Sequence, residues 1–241
     1  VASLEFDTGT LDASAVIVGD RAGTSGNTGL VRATLDLGGG TVTVGNSGMI
    51  VGRNTSTLSA NSVSGVVNVA GSAAMTVGAT GGTSITLGSS ANSGVAAYAA
   101  LHIGDSATVA VNGDIIRGSG AGAGSVTSIL SLAGAGATLD MRGNDITDLT
   151  SITFENGTLR DVGAVNAPVT LSGTGQRLFL QDSNGVISGS IGGAAGLSKA
   201  GGGRLDLAGA NTYAGLTIIS NGTRSEEHTS ELQSPNTTTY A

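Results

Sequence analysis

Cysteine is absent from the 241 residues, which excludes disulfides and thiolate metal sites. Tryptophan is absent as well, and aromatic residues make up only 2%. With so few large side chains a wide core cannot be filled, so any core must be thin and layered. There are two prolines, and the glycines do not fall on every third residue, so the chain is no collagen. Charged residues are 11%, the net charge is −7, and Lys199 is the single lysine. Nucleic acid and anionic membrane surfaces both call for clustered Lys and Arg, so neither is expected as a partner. The longest apolar run, 95–103, is too short to span a bilayer as a helix and is broken by His102. No secretory leader is readable and the chain begins at Val1, so we read it as a fragment of a longer protein.

What the chain does have is glycine, 42 residues of it, and a positive mean hydropathy of +0.23. The hydropathy, with a high content of β-branched residues, sets it apart from a disordered polymer. One short unit recurs: apolar, any, apolar, then glycine or a small polar turn. It appears as Thr34-Leu35-Asp36-Leu37-Gly38, Thr41-Val42-Thr43-Val44-Gly45, Val67-Asn68-Val69-Ala70-Gly71, Leu101-His102-Ile103-Gly104 and, later, Leu205-Asp206-Leu207. Alternation at period two means a strand with one buried and one wet face. The closing glycine lets the backbone turn. No segment carries a convincing helical pattern.

Two architectures fit. Asn112-Gly113, Asn156-Gly157, Asn184-Gly185 and Asn221-Gly222 are hairpin signals and favour an antiparallel sandwich. The very short strands, single-glycine corners and scarce aromatics favour a solenoid, as does repetition along the whole chain. We therefore expect an all-β, right-handed parallel β-helix over residues 1–223, with short strands and glycine turns. With about twenty residues per coil, about ten coils at about 4.8 Å each would form a rod of about 50 Å.

The most specific run is Gly196-Leu197-Ser198-Lys199-Ala200-Gly201-Gly202-Gly203-Arg204-Leu205-Asp206-Leu207-Ala208-Gly209-Ala210-Asn211-Thr212-Tyr213-Ala214-Gly215-Leu216-Thr217-Ile218-Ile219-Ser220-Asn221-Gly222-Thr223. It resembles the autotransporter-associated β-strand repeat, with Leu197, Lys199, Gly201, Gly203, Leu205, Leu207, Gly209, Asn211, Thr212, Tyr213, Gly215, Thr217, Gly222 and Thr223 in the matching places. The resemblance implies a β-helix passenger exported by type V secretion, with an outer-membrane barrel expected in a C-terminal part beyond this chain. On that reading the lack of cysteine suits a chain that must stay unlooped while crossing a narrow pore. From the residues themselves, Leu205, Leu207, Leu216 and Ile218 should point inward, Asn211 should satisfy corner backbone groups, and Tyr213 should cover a corner with its hydroxyl in water.

At Arg224 the composition changes. Arg224-Ser225-Glu226-Glu227-His228-Thr229-Ser230-Glu231-Leu232-Gln233-Ser234 has no glycine and no repeat. It resembles the translation of a common sequencing adapter and stands where the repeat would place Leu after Gly222-Thr223. Residues 224–241 are accordingly expected to be an artefactual or disordered tail outside the fold.

Candidate chemistry is sparse. Asp140, Asp145, Asp148, Glu155 and Asp161 form the densest acidic group. A pair of carboxylates about 5–10 Å apart could hydrolyse a glycoside, but turn-forming Asp on a wet face accounts for them, and the aromatic platforms and basic residues that a sugar-cleaving groove needs are both sparse. His102, between Leu101 and Ile103, should face outward. Gly201-Gly202-Gly203-Arg204-Leu205-Asp206 is superficially like a calcium nonapeptide, but Arg204 stands where a glycine is required. No catalytic, metal or cofactor-binding residue is assigned and no cofactor is expected. The expected role is that of a non-enzymatic, adhesin-like passenger fragment on the bacterial surface or secreted, with surface glycans or proteins as partners. The alternatives are a carbohydrate-active β-helix enzyme and an inert spacer.

Overall fold

The computed structural model describes residues 1–22, 29–56, 61–78, 82–91, 95–120, 126–226 and 239–240. Among them there is no helix, and every strand pairing is parallel. The four Asn-Gly pairs therefore turn no hairpin. The chain climbs as a β-solenoid whose coils each visit three faces in turn.

The first coil holds β1 (Ala2–Phe6), β2 (Thr10–Ala13) and β3 (Val16–Arg21). The second holds β4 (Leu30–Leu37), β5 (Thr41–Val44) and β6 (Met49–Asn54), and the third β7 (Ser62–Val69), β8 (Ala74–Val77) and β9 (Thr83–Ser90). The fourth holds β10 (Ala96–Ile103), β11 (Thr108–Val111) and β12 (Asp114–Arg117). In the next two coils a single long strand serves the first two faces: β13 (Val126–Asp140) precedes β14 (Ile146–Thr147), and β15 (Ser151–Arg160) precedes β16 (Ala164–Val165). The seventh coil has β17 (Val169–Leu171), β18 (Gln176–Leu180) and β19 (Gly185–Ile187), and the eighth β20 (Ile191–Gly193), β21 (Gly196–Ala200) and β22 (Arg204–Leu207). The last elements are β23 (Thr217–Ile219), β24 (Thr223–Glu226) and β25 (Thr239–Tyr240). Because β13 and β15 run through a corner, the first two faces form one sixteen-stranded sheet, and the third is a nine-stranded sheet.

Register follows from the alternation. On the first face Leu35, Val67, Leu101, Leu130, Ile152, Val169 and Ile191 stack in one column. On the second, Val42, Met75, Val109, Leu139, Leu159 and Phe179 do the same. On the third, Met49, Ile85, Ile115, Ile146, Val165, Ile187 and Leu207 complete the wall. A one-residue slip would turn each column out to water, so the register is fixed by burial. Each such Leu, Ile or Val contributes about 1.5–3 kcal/mol. Two of the scarce aromatics lie in the core, where Phe154 and Phe179 meet edge to face at 5.2 Å and 74°.

The coils are not uniformly of twenty residues. Asn68 reaches Asp36 across 32 residues and Asn112 reaches Gly78 across 34, whereas Asn211 reaches Ile191 across 20. The early coils are larger because their strands continue past a pinch between the first and third faces. A Cβ on Gly65 would lie 2.3 Å from Val18 O and 2.5 Å from Gly52 N, so the two backbones meet there without side chains. Beyond the pinch sits a second, small apolar cluster of Val63, Ala97, Val126 and Val31. Buried polar groups close this wing: Asn61 Nδ2 donates to Ser56 Oγ at 2.6 Å, Arg21 donates to Asn61 Oδ1 at 2.7 Å, and Asn54 Nδ2 donates to Ala96 O at 3.1 Å.

Candidate functional site

The run from Leu197 to Thr223 forms most of one coil and the start of the next, and its polar corner is tied by hydrogen bonds from several coils. Leu205 and Leu207 are fully buried on β22, as their alternation requires. Leu197 is fully buried on β21, between Arg177 and Thr217 in register. Two residues on, the same alternation carries Lys199 into the interior, where it is stacked between Phe179 and Ile219 with no exposed surface.

A buried ammonium must find acceptors. Lys199 Nζ donates to Ala200 O and Gly201 O at 2.7 Å each, and to Gln181 O and Asn221 O at 3.3 Å each. These four carbonyls come from three successive coils, so a single cation staples the corner. Burial pushes the ammonium below its ordinary pKa, against the opposing field of Asp182 and Asp161. The neighbouring glycines answer to the same geometry. A Cβ on Gly222 would lie 2.8 Å from Nζ and 2.3 Å from Gly203 O, and one on Gly203 would lie 1.9 Å from Ser183 O. Gly201 has φ +80° and Gly222 φ +72°, the left-handed region.

The rest of the motif docks the next corner. Asn211 Oδ1 accepts from Ile191 N at 3.0 Å, and its Nδ2 donates to Leu207 O at 3.4 Å. Thr212 N donates to Ile191 O at 2.7 Å. A Cβ on Gly209 would fall 2.1 Å from Gly189 O, and one on Gly215 2.2 Å from Gly196 N, so both corners sit on backbone. Thr223 N donates to Gly203 O at 3.3 Å.

Two expectations for this run are corrected. Leu216 is 55% exposed and Ile218 only partly buried, while Thr217 and Ile219 face inward. Tyr213 does not keep its hydroxyl in water either: the residue is 8% exposed and its Oη is 2.7 Å from Thr217 Oγ1. The two corrections have one cause. A hydroxyl is costly to bury alone, but two buried hydroxyls satisfy each other, and that pairing seats Thr217 rather than Leu216 inside.

Arg177 escaped the sequence reading entirely. It is 3% exposed and occupies an inward register position; its guanidinium donates to Glu155 O and Thr174 O, and its Nε is buried without a hydrogen-bond partner among the described residues. The alternation around it favours Leu178 and Leu180 as the inward pair, whereas the structure turns Arg177 and Phe179 inward, so the sequence signal pointed to the wrong face.

The segment set aside at Arg224 begins inside the fold. Arg224, Ser225 and Glu226 pair with Leu205, Asp206 and Leu207 as part of β24. Arg224 thus stacks on a buried leucine with its side chain 10% exposed, bridges to Glu226 at 2.6 Å, and leaves Nη1 buried without a hydrogen-bond partner among the described residues. Beyond Glu226, residues 227–238 and 241 lie outside the described residues, His228 among them; β25 pairs with β23. Replacing Arg224 with Leu should raise the unfolding free energy by about 1–2 kcal/mol, since an apolar side chain then completes the Leu205 column and the orphaned donor is removed. An urea titration of both chains measures it.

The acidic candidates serve as corner acceptors. Asp145 Oδ1 accepts from Ala164 N at 2.7 Å, Asp140 Oδ1 from Arg142 N at 3.0 Å, and Asp148 Oδ1 from Asn166 Nδ2 at 3.1 Å. Glu155 is exposed. Asp161 Oδ1 takes Asp182 N at 2.7 Å and Ser183 N at 3.2 Å, and Oδ2 takes Arg160 Nε at 3.2 Å. Asp148 and Asp161 have φ of 59° and 44°, as befits turn residues. Asp206, the acidic end of the nonapeptide-like run, pairs with Arg204. No group of three or more His, Cys, Asp or Glu able to hold a metal occurs among the described residues. His102 lies on the outward column Asp36, Asn68, His102, Ser131, and burial pushes its imidazole below the ordinary value.

Asp161 yields a pH prediction. Burial alone would raise its carboxyl, but the amides of Asp182 and Ser183 together with Arg160 outweigh burial and hold it below the usual carboxylate range. A carboxyl depressed in the folded state adds stability above its unfolded pKa, near 3.9, and loses it as pH falls through the folded value. Asp161→Asn should therefore cost about 1–2 kcal/mol at neutral pH and flatten the acid limb. Urea midpoints at neutral pH and near pH 3 would show the difference shrinking.

Residues 197–223 match the family described as Passenger-associated-transport-repeat, and this stretch is thereby identified as a repeat of autotransporter passengers. No curated protein and no solved structure gives a significant match to the chain.

Proposed function

We propose that this chain is a non-catalytic, adhesin-like segment of an autotransporter passenger, standing outside the outer membrane and presenting its solenoid faces to surface glycans or proteins. The observation that carries the reading is that the passenger-type repeat at 197–223 is no appendage. Its strands β21 and β22 pair in parallel with β18 and β19 and so continue the second- and third-face columns of the coils before them. A stack stabilised only by neighbouring coils can lengthen without limit, and that suits a stalk.

The outward columns support a polar contact surface. Asp36, Asn68, His102, Ser131, Thr153 and Thr170 follow one another on the first face. Four residues before His102 on the same strand, Tyr98 is 36% exposed between Ser64 and Thr127. Hydroxyls and amides at strand spacing, with one ring lying among them, match the alternating polar edges and apolar faces of sugars.

The test is to carry the chain between an export signal and an outer-membrane barrel in a Gram-negative host. Labelling with an antibody on intact cells, and its loss on protease shaving, is the expected result; cells left unlabelled despite expression would overturn the passenger reading. Retention of labelled cells on a glycan array, reduced by Tyr98→Ser, is expected for an adhesin. Labelled cells that gain no retention on glycans or proteins would replace adhesion with a spacer role.

A further inference from the structure

The four Asn-Gly pairs turn no hairpins, and the solenoid places them in two unlike settings. We propose that Asn221 and Asn156 are sites of self-catalysed deamidation, Asn221 being the faster, and that Asn112 and Asn184 are protected by the fold.

The reaction needs the backbone nitrogen of the following residue to reach the side-chain carboxamide. Gly222 N lies 2.8 Å from Asn221 Oδ1, and Gly157 N lies 3.0 Å from Asn156 Oδ1. In both cases the backbone N–H donates to the carboxamide oxygen, which holds the nitrogen beside the group whose carbon it must attack and removes part of the entropy cost of closing the ring. Both asparagines are exposed, so water reaches them. The glycines, at φ +72° and +91°, have no Cβ to obstruct the five-membered ring.

The other two carboxamides are occupied. Asn112 Nδ2 donates to Gly78 O at 2.8 Å and its Oδ1 accepts from Arg142. Asn184 Oδ1 accepts from Arg204 N at 3.1 Å. Swinging either onto the next backbone nitrogen would break a bond between coils.

Asn221 has a further advantage. Lys199 Nζ lies 3.3 Å from Asn221 O, the carbonyl of the same peptide unit as Gly222 N. When that nitrogen loses its proton to hydroxide, the negative charge is shared with this oxygen, and the ammonium stabilises it as a donor stabilises any developing oxyanion. The nitrogen then attacks Cγ, the Cγ–Nδ2 bond breaks, and ammonia leaves with one added proton. A cyclic imide remains. Water opens it at either carbonyl to give aspartate or isoaspartate, so the sum is one water consumed and one ammonia released. Isoaspartate adds a methylene to the main chain beside the Lys199 staple and loosens the corner it holds.

The test incubates the whole folded chain in mildly alkaline buffer and follows each Asn-Gly peptide by mass spectrometry, with a sample in concentrated urea alongside. The expected result is gain of one mass unit at Asn221 first, at Asn156 about tenfold more slowly, and none at Asn112 and Asn184 over the same period. In urea the four rates should converge. Reaction at Asn112 or Asn184 as fast as at Asn156 in the folded chain, or native rates at Asn156 and Asn221 no faster than in urea, would overturn the assignment. Equal native rates at Asn221 and Asn156 would remove the ammonium from it.

Discussion

Lys199→Ala is expected to lower the unfolding free energy by about 3–5 kcal/mol, the scale of deleting one member of a buried, bonded charge site together with its packing. The stem of Lys199 fills the second-face column between Phe179 and Ile219, and its ammonium meets four carbonyls drawn from three coils. Lys199→Met separates the two contributions. It keeps the stem and removes only the donor, so it should cost less, about 1–3 kcal/mol, the usual penalty for carbonyls that lose a buried partner. Urea titrations of the three chains decide it. If Met were as stable as Lys, the staple would be decoration and the column alone would hold the coils.

Gly203→Ala should be nearly as damaging, costing about 3 kcal/mol, while Gly202→Ala beside it should change stability by no more than about 0.5 kcal/mol. Neither glycine has a left-handed φ, so helix and turn propensities do not separate them; only contact does. A Cβ at 203 would sit 1.9 Å from Ser183 O and 2.5 Å from Ser183 C, both main-chain atoms of the coil beneath. At 202 nothing lies within 4 Å. Because main chain cannot rotate aside as a side-chain tip can, the eighth coil would have to lift from the seventh. Equal stability of the two variants would mean that the coils are not seated as closely as the geometry requires.

Much of the fold was legible because a strand with one wet face writes itself at period two. Leu35-Asp36-Leu37 and Leu205-Asp206-Leu207 announce both strand and inward side, and the structure places both leucine pairs in the core. The alternation gives no sign of the pairing partner. Asn-Gly dipeptides pointed to hairpins, yet in every pairing the neighbour is parallel and one coil away; Asn112 and Asn184 bond between coils instead, and Asn156 and Asn221 accept from their own following glycines. Coil length was also hidden. The wing beyond the Gly52–Gly65 pinch depends on where two distant backbones approach, and glycine content alone does not mark that spot.

By itself, then, the sequence determined an all-β chain of short strands with a narrow aliphatic core, because period two and small side chains allow little else. Which polar residues belong inside was decided only in three dimensions. Lys199, Arg177, Thr217 and Tyr213 are buried because carbonyls or hydroxyls from elsewhere in the chain meet them there. The cost of burying a polar group is set by the partners it finds, and for Lys199 and Arg177 these include a carbonyl 18 and 22 residues away, a distance that only coiling closes.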